Sequence, residues 1–586
     1  MCGIFGFVSD NKRSANEILK GLKLLEYRGY DSWGVAVKSG KEILVDKNIG
    51  KIGNAKLKPR QSNLGIGHTR WATHGGVTIE NAHPHLDCKQ NVAVVHNGII
   101  ENYQELKQSL IKKGHQFISE TDTEVFAHLV EEFLKTDGFA TAVRLAFNLI
   151  EGLNAVVVMN SLSSEIVAAK TGSPLIVGVG DKEFFISSDC LGIAQYTKKV
   201  LFLKDNEMVI LGKDLVLISL PKGNQLTPQF EEIEVKEADK GKGDYKHFML
   251  KEIMEEPQIL ENIGKNYKDI VQDLGGKIKN AYGTYFVGAG TAFYACLAGT
   301  YLFSKIAKVH VNTTPASEFN YLEDFLTPKS LVIGLSQSGE TIDVIEPLQM
   351  AKQKKAKIVA VTNAKGSTIY RMADEKILLN AGTEKAVAST KAYLAKLAIL
   401  LMLAFSMKGE IGKAQRLLQQ AAKEIRRIFS PQYLSKIQEL AKLMKLKEHV
   451  FIIGRGMSYP SALEGALKIR EVSYLHAEGI AGGELKHGPI ALIEKGTQCI
   501  VFAPNDETYA AIMSNAMEIK ARGGVIIGLS FKNSEVFDYF LEVKDLREAT
   551  ILTQIVPLQL LAYYIAVSKG FDPDKPRNLA KSVTVR

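Results

Sequence analysis

A strand, a Gly-x-Gly turn and a helix are written twice into this chain, in "TYFVGAGTAFYACLAGTYLF" from residue 284 and again in "HVFIIGRGMSYPSALEGALKI" from residue 449. Each copy precedes a further apolar strand, "KSLVIGLSQSGET" and "TQCIVFAPNDET", with long amphipathic helices between. Strands that alternate with helices are joined by crossovers, and crossovers make parallel sheets covered by helices on both faces. A repeat of that unit restricts the C-terminal half to two tandem doubly wound subdomains, expected over 248–425 and 440–586.

The N-terminal part follows another rule. Short β-branched stretches dominate it, among them "GVAVKSG", "VAVVHNGII", "NAVVVMN", "EIVAAK" and "EMVIL", with helical patterns only around "YQELKQSLIKKG" and "TEVFAHLVEEFLK". That mixture predicts an α+β sandwich of antiparallel sheets over 1–238, and the polar run "VKEADKGKGDYKH" predicts a linker at 239–247. A net charge of +9 comes from 73 basic and 64 acidic residues spread along the chain, which suits solubility, mildly favours anionic small molecules and does not mark nucleic-acid binding. Five cysteines without a Cys-x-x-Cys point to a reducing compartment. The apolar start has no basic region before it, and the apolar helix around "AYLAKLAILLMLAF" carries Lys396 and is short for a bilayer. A cytoplasmic protein without membrane contact is expected.

Polar islands interrupt the first domain: "YRGYDS", "GHTRWATHG", "NAHPH", "HNGIIEN" and "SETDTEV". A sheet domain does not need such polarity for folding, so the islands are expected to converge on a site. Asn97-Gly98 is open to two readings, a type I′ turn or an amide and a backbone N–H offered to an oxyanion. Arg70 has the fork that suits a carboxylate, and Asp122 either holds an ammonium or caps a helix. Five histidines between 68 and 96, with Asp87 and Cys88 adjacent, raise zinc as a rival. Their spacings match no recognised ligand pattern, so no metal is assigned. If Met1 is removed, Cys2 carries a thiol and an α-amine on one residue, and the neutral amine can take the thiol's proton near neutral pH.

In the second half, "LVIGLSQSGETIDVIEPLQ" sets Ser336, Ser338 and Thr341 at a helix start, a phosphate site or a well-capped helix. Lys468 and Glu471 share a helical face at i,i+3, which by itself is an ordinary ion pair. His487 lies in a Gly-flanked turn, and a carboxylate with a histidine suits moving a proton between adjacent sugar carbons. Lys581 lies in the polar tail "RNLAKSVTVR", solvated and mobile or closing over a site.

"MCGIFGF" and the five islands resemble the N-terminal-nucleophile class of glutamine amidotransferases. "YKHFMLKEI", "SQSGET", "VASTKAY", "ALEGALKIREVSYLHAE", "GELKHGP" and "PRNLAKSVTV" resemble the sugar isomerase (SIS) repeats of the glutamine–fructose-6-phosphate aminotransferase family, and together the matches span nearly the full length. The resemblance implies that Cys2 attacks the glutamine amide, Asn97 and Gly98 form the oxyanion hole, Arg70, Thr73, His74 and Asp122 bind glutamine, and Trp71 gates the ammonia exit. It implies that Ser336, Gln337, Ser338 and Thr341 bind the sugar phosphate with Thr291 and the Val387 backbone nearby. Glu471 is then the base between C1 and C2, His487 the ring-opening acid–base, and Lys581, beside Ala580, the imine-forming or ring-opening lysine, with Lys468 in support. It also implies a homodimer that uses glutamine and fructose 6-phosphate, channels ammonia and needs no metal or organic cofactor.

One departure stands out. The family reads Cys-Gly-Thr-Ser where this chain has Ala289-Gly290-Thr291-Ala292, so a phosphate-binding hydroxyl is missing. Losing a hydrogen bond to a charged group costs about 1.5–3 kcal/mol. This admits compensation by backbone donors or a different ketose phosphate. An amidotransferase making phosphoribosylamine or asparagine is disfavoured, because no phosphoribosyl or ATP-pyrophosphatase loop follows the first domain. A non-enzymatic SIS sugar-phosphate sensor would want a helix-turn-helix in place of Cys2.

Overall fold

The computed structural model of the chain describes residues 2–233 and 241–583. Met1 and the first two residues of the expected linker fall outside those residues, and 241–247 form turns before the helix Phe248–Met254. Two compact units result, one of residues 2–233 together with 582–583 and one of residues 241–581.

In the first unit, an eight-stranded and a seven-stranded sheet, both antiparallel throughout their described pairs, pack face to face. The strand Gly3–Ser14 shows why. Ile4 and Val8 point into the core between the sheets, whereas Phe5 and Phe7 point to the outer helices Asn16–Leu25 and Cys190–Ile193. A strand apolar on both faces must be buried on both, and the period of two decides which residue meets which layer. The second sheet does the same with Ala93 and Val95 inward, Val92 and Val94 toward the helices Glu124–Phe133 and Phe139–Phe147. Helix, sheet, sheet, helix is the sandwich expected.

In the second unit, two five-stranded parallel sheets have one topology. The first runs 312–315, 283–288, 330–336, 357–362, 375–378 across the sheet, and the second runs 476–481, 449–454, 498–503, 525–530, 539–542. Between the two strands recognised in each repeat, the chain adds one more, Asn312–Pro315 and His476–Ala481, on the far side of the first. These edge strands are paired on one side only and partly exposed, so their sequences lack the apolar run that marks a central strand. The turns match as well: Gly290 and Gly456 take φ of +53° and +54°. In such sheets the strand order reverses beside the first strand, and ligand sites lie at the carboxyl ends there. Thr291 and the 336–341 turn sit at those ends.

The helix Lys391–Met407 is buried almost throughout and packs in the helical core shared by both repeats. Lys396 within it is 1% exposed, and burial lowers its pKa to about 8. One stretch, Arg547–Ser568, is long and apolar enough to cross a membrane, and 89% of its apolar window is buried inside the fold.

Candidate active site

The N-terminal site is built where strands from both sheets end. Gly3 lies opposite Thr69 in the ladder, which brings the Cys2 end of one strand beside the Arg70 end of another. The Trp71 N–H donates to Cys2 Sγ at 3.3 Å, and Asn97 Nδ2 donates to the Cys2 carbonyl at 3.0 Å. Asn97 is held by His68. That ring's Nε2 faces two acceptors, the His96 carbonyl at 3.0 Å and Asn97 Oδ1 at 3.1 Å, so it carries the proton. Burial keeps His68 neutral by lowering its pKa to about 3, and its Nδ1 meets no partner among the described residues. The result is fixed: Asn97 turns its oxygen to His68 and its NH₂ to Cys2.

Asn97-Gly98 is not a hairpin turn. Asn97 ends the strand Val92–Asn97 without a positive φ, and Gly98 takes φ +141°. A Cβ at Gly98 would stand 2.6 Å from the Leu153 carbonyl and 2.7 Å from both Asn154 Oδ1 and His96 Nε2. Gly98→Ala is therefore expected to lower stability by about 1–3 kcal/mol and to abolish chemistry at Cys2. A melting curve and a glutaminase assay check it, and a variant with wild-type values in both would remove the need for glycine.

Asp122 does not cap the following helix with its side chain. Its carboxylate accepts from the Ile100 N–H at 2.7 Å and ties that helix start to the 98–100 loop. Glu124, the first helical residue, accepts from the Ile118 and Ser119 N–H groups and so fastens the preceding segment to the helix start. Arg70, 3% exposed, spans the 74–76 loop through the carbonyls of His74 at 2.5 Å, Gly76 at 3.0 Å and Gly75 at 3.1 Å. Burial lowers the Arg70 pKa against the pull of Cys2, Asp31 and Asp122. The His74 ring stands edge-on to Tyr103, and its buried Nδ1 has no partner among the described residues. Trp71 is half-buried and Thr73 exposed. The "YRGYDS" island divides: Tyr27 and the buried Arg28 bind Asp189, whereas Asp31 accepts from the Ala72 N–H and steadies the Trp71 loop.

The histidines of "GHTRWATHG", "NAHPH" and "HNGIIEN" solvate one another. His68 stacks on His83 at 4.1 Å, His85 meets Thr121 at 3.0 Å, and His96 bridges Thr123 and Asn154, each at 2.8 Å. Burial holds His83, His85 and His96 below the ordinary imidazole range.

In the second unit both repeats contribute. The fully buried Lys468 donates to Glu471 at 2.6 Å and to Thr291 Oγ1 at 3.0 Å, and it lies 3.5 Å from Glu464. Burial opposes the Lys468 charge, but the two carboxylates outweigh it and raise its pKa. Glu464 goes the other way: burial lifts it to about 7. The 336–341 turn preorganises hydroxyls, with Ser336 Oγ 2.9 Å from Thr341 Oγ1 and accepting from the Gly339 N–H at 3.0 Å, while Ser338 accepts from the Glu340 N–H. The Gln337 carbonyl accepts from the Asn363 N–H. The Val387 N–H is committed to the Asp574 carbonyl at 3.0 Å, which leaves its carbonyl for a ligand.

Lys581 is not a solvated tail residue. Its ammonium lies 2.6 Å from Glu384, and the two side chains are 3% and 0% exposed. Glu384 also accepts from the Thr390 and Ala392 N–H groups and from Ser389 Oγ, and although burial opposes its charge, Lys581 pulls its pKa down to about 2. Glu384 escaped the sequence reading because a lone glutamate between strand and helix has no spacing signature. Asp574, which receives the Phe248 and Met249 N–H groups, fastens the tail upstream, with Ala580 half-buried beyond it. His487 is exposed in the short turn Glu484–His487 and makes no hydrogen bond or ion pair with the described residues.

Comparison with known proteins follows the same division. The family model described as a glutamine amidotransferase domain matches residues 68–195, and the SIS domain model matches 277–406 and again 442–569. The glutamine–fructose-6-phosphate aminotransferases (isomerizing) of Thermococcus kodakarensis and Pyrococcus horikoshii are 43% and 44% identical, each aligned over the whole of both chains. Among solved structures, the C-terminal domain of glucosamine-fructose-6-phosphate aminotransferase from Francisella tularensis is 31% identical with a TM-score of 0.53, covering 58% of this chain and 100% of that one.

Proposed function

The chain belongs to the glutamine–fructose-6-phosphate aminotransferases, and on that footing we propose that it converts glutamine and fructose 6-phosphate to glutamate and glucosamine 6-phosphate. The observation that carries this is one chain holding both a thiol beside a fixed amide, Cys2 and Asn97, and a buried Lys468–Glu471 pair beside Thr291.

At the first site the Cys2 thiolate attacks the glutamine side-chain carbonyl, its proton passing to the α-amine of Cys2 once Met1 is gone. Asn97 Nδ2 and the Gly98 N–H receive the oxyanion, a task that costs no reorganisation because His68 already orients the amide. Ammonia leaves with the proton from the amine, and water hydrolyses the thioester to glutamate. Arg70, Thr73, His74 and Asp122 hold the amino-acid end, and Trp71 gates the passage of ammonia to the sugar.

At the second site Ser336, Gln337, Ser338 and Thr341 bind the phosphate, with Thr291, Ala580 and the Val387 carbonyl around the sugar. Ring opening falls to His487 and Lys581, after which ammonia forms an imine at C2, or displaces Lys581 from one, and Glu471 carries a proton between C1 and C2. Lys468 donates to Glu471 and holds it in place, and Glu384 positions Lys581. The exposure of His487 supports a homodimer in which it serves a neighbouring site, and we place the enzyme in the cytoplasm, using no cofactor.

A product assay with fructose 6-phosphate, run with glutamine and then with ammonium, tests the whole reading: glucosamine 6-phosphate and glutamate are expected together. Glutamate without amino sugar would overturn the acceptor. Ala292 favours that second reading, an amidotransferase for another ketose phosphate, because it removes a phosphate donor at a helix start. Ala292→Ser is expected to lower KM for fructose 6-phosphate by about 10- to 150-fold. A larger gain for a different ketose phosphate would favour the alternative.

A further inference from the structure

Cys88, His115, His128 and Glu131 come together on the outer side of the first unit, outside the residues that surround Cys2. They come from three places: the turn after the strand His85–Leu86, the segment between the helices Tyr103–Lys112 and Glu124–Phe133, and the second of those helices itself. We propose that they bind a structural zinc ion through Cys88 Sγ, His115 Nδ1, His128 Nδ1 and Glu131 Oε2.

The four donor groups lie close enough together to share one ion. Zinc bonds of about 2.3 Å to sulfur and about 2.0 Å to nitrogen or oxygen set edges of about 3.6 Å for sulfur to nitrogen and about 3.3 Å for nitrogen to oxygen. Cys88 Sγ lies 3.7 Å from His115 Nδ1 and 3.5 Å from His128 Nδ1. Glu131 Oε2 lies 3.1 Å from His115 Nδ1 and 3.5 Å from His128 Nδ1, and one ligand atom from each of the four residues lies within 4.8 Å of the others.

Hydrogen bonding accounts for only part of this arrangement: the Cys88 N–H donates to Glu131 Oε2 at 3.2 Å, and one thiol proton cannot serve both imidazoles beside it. A neutral imidazole has one N–H. His115 Nε2 faces Glu132 at 2.8 Å and uses it there, so the His115 Nδ1 lone pair confronts a carboxylate oxygen at 3.1 Å. Something positive belongs between them, a second proton on His115 or a metal ion. The convergence of a second imidazole and a sulfur on the same point selects the metal. Glu132 behind His115 is then the carboxylate that orients a metal-binding imidazole, and Glu124 stands 3.6 Å from His128 Nε2. The Gln116 N–H donates to Cys88 Sγ at 3.4 Å, which suits a thiolate. On binding, the thiol proton passes to solvent, and thiolate and carboxylate neutralise the dication. Four protein ligands leave no position for substrate, and the exposed Cys88 gives the ion its way in. The clamp braces the helix whose start carries Asp122.

The test uses the untagged full-length protein grown with zinc and desalted. Wild type is expected to carry about one zinc per chain by elemental mass spectrometry, and Cys88→Ser about a tenth of that or less. Cobalt exchanged into the site is expected to give a thiolate-to-cobalt absorption that Cys2→Ala retains and Cys88→Ser loses. Glu132→Gln, which keeps all four ligands, is expected to weaken zinc about 10- to 100-fold. Metal-free wild type whose melting temperature zinc does not raise would overturn the site in favour of a protonated His115. Zinc retained in Cys88→Ser would also overturn it by placing the ion elsewhere.

Discussion

Replacing Cys2 by Ala is expected to lower glutamine-dependent synthesis of glucosamine 6-phosphate by at least about four orders of magnitude, because no other group near Asn97 Nδ2 can form the acyl intermediate. The ammonium-driven reaction should stay within about twofold of wild type, since the Lys468–Glu471 cluster contains no residue of the first unit. Structurally the change is small: the Trp71 N–H loses a weak sulfur acceptor, and the strand Gly3–Ser14 keeps its ladder. Parallel assays of glutamate and amino sugar read both halves at once. Glutamate still formed by the variant would sink the nucleophile assignment. An intact-mass spectrum of active wild type bears on the base: Met1 retained would leave no α-amine on Cys2 to take the proton.

Glu471→Gln is expected to lower synthesis about 10²- to 10⁴-fold with either nitrogen source, the usual worth of a positioned acid–base. Gln is isosteric and can still accept from Lys468, and Glu464 at 3.5 Å remains to compensate the buried ammonium, so the fold should hold. Fructose 6-phosphate binding, measured by calorimetry, should change little, and glutamine hydrolysis should persist. That split separates an enzyme from a sugar-phosphate sensor, which would respond to its ligand without needing a base. Full synthesis by Glu471→Gln would remove Glu471 from the proton transfer.

Much of this was legible in the chain because it is local. Period-two apolar strands and period-3.6 helices are properties of neighbours, so the sandwich and the repeated strand–turn–helix units could be read directly. Cys2, Asn97-Gly98, "SQSGET" and the i,i+3 pair Lys468–Glu471 were legible for the same reason. The edge strands 312–315 and 476–481 were not, because a partly exposed strand paired on one side carries little apolar signal.

What remained depends on residues far apart along the chain. The proton on His68 Nε2, and with it the direction of the Asn97 amide, follows from two acceptors that face it only in the folded sheet. Lys581 reads as a solvated tail until Glu384, 197 positions away, is placed against it. Histidines near one another in sequence suggested a metal site, yet they bond to one another and to hydroxyl and amide side chains. The donors that converge on one point come from positions 88, 115, 128 and 131, whose spacing matches no short motif. Spacing reveals chemistry only where one helix, strand or turn carries the partners. Where long-range packing brings them together, their distances are set by the core beneath them, and only the tertiary structure records it.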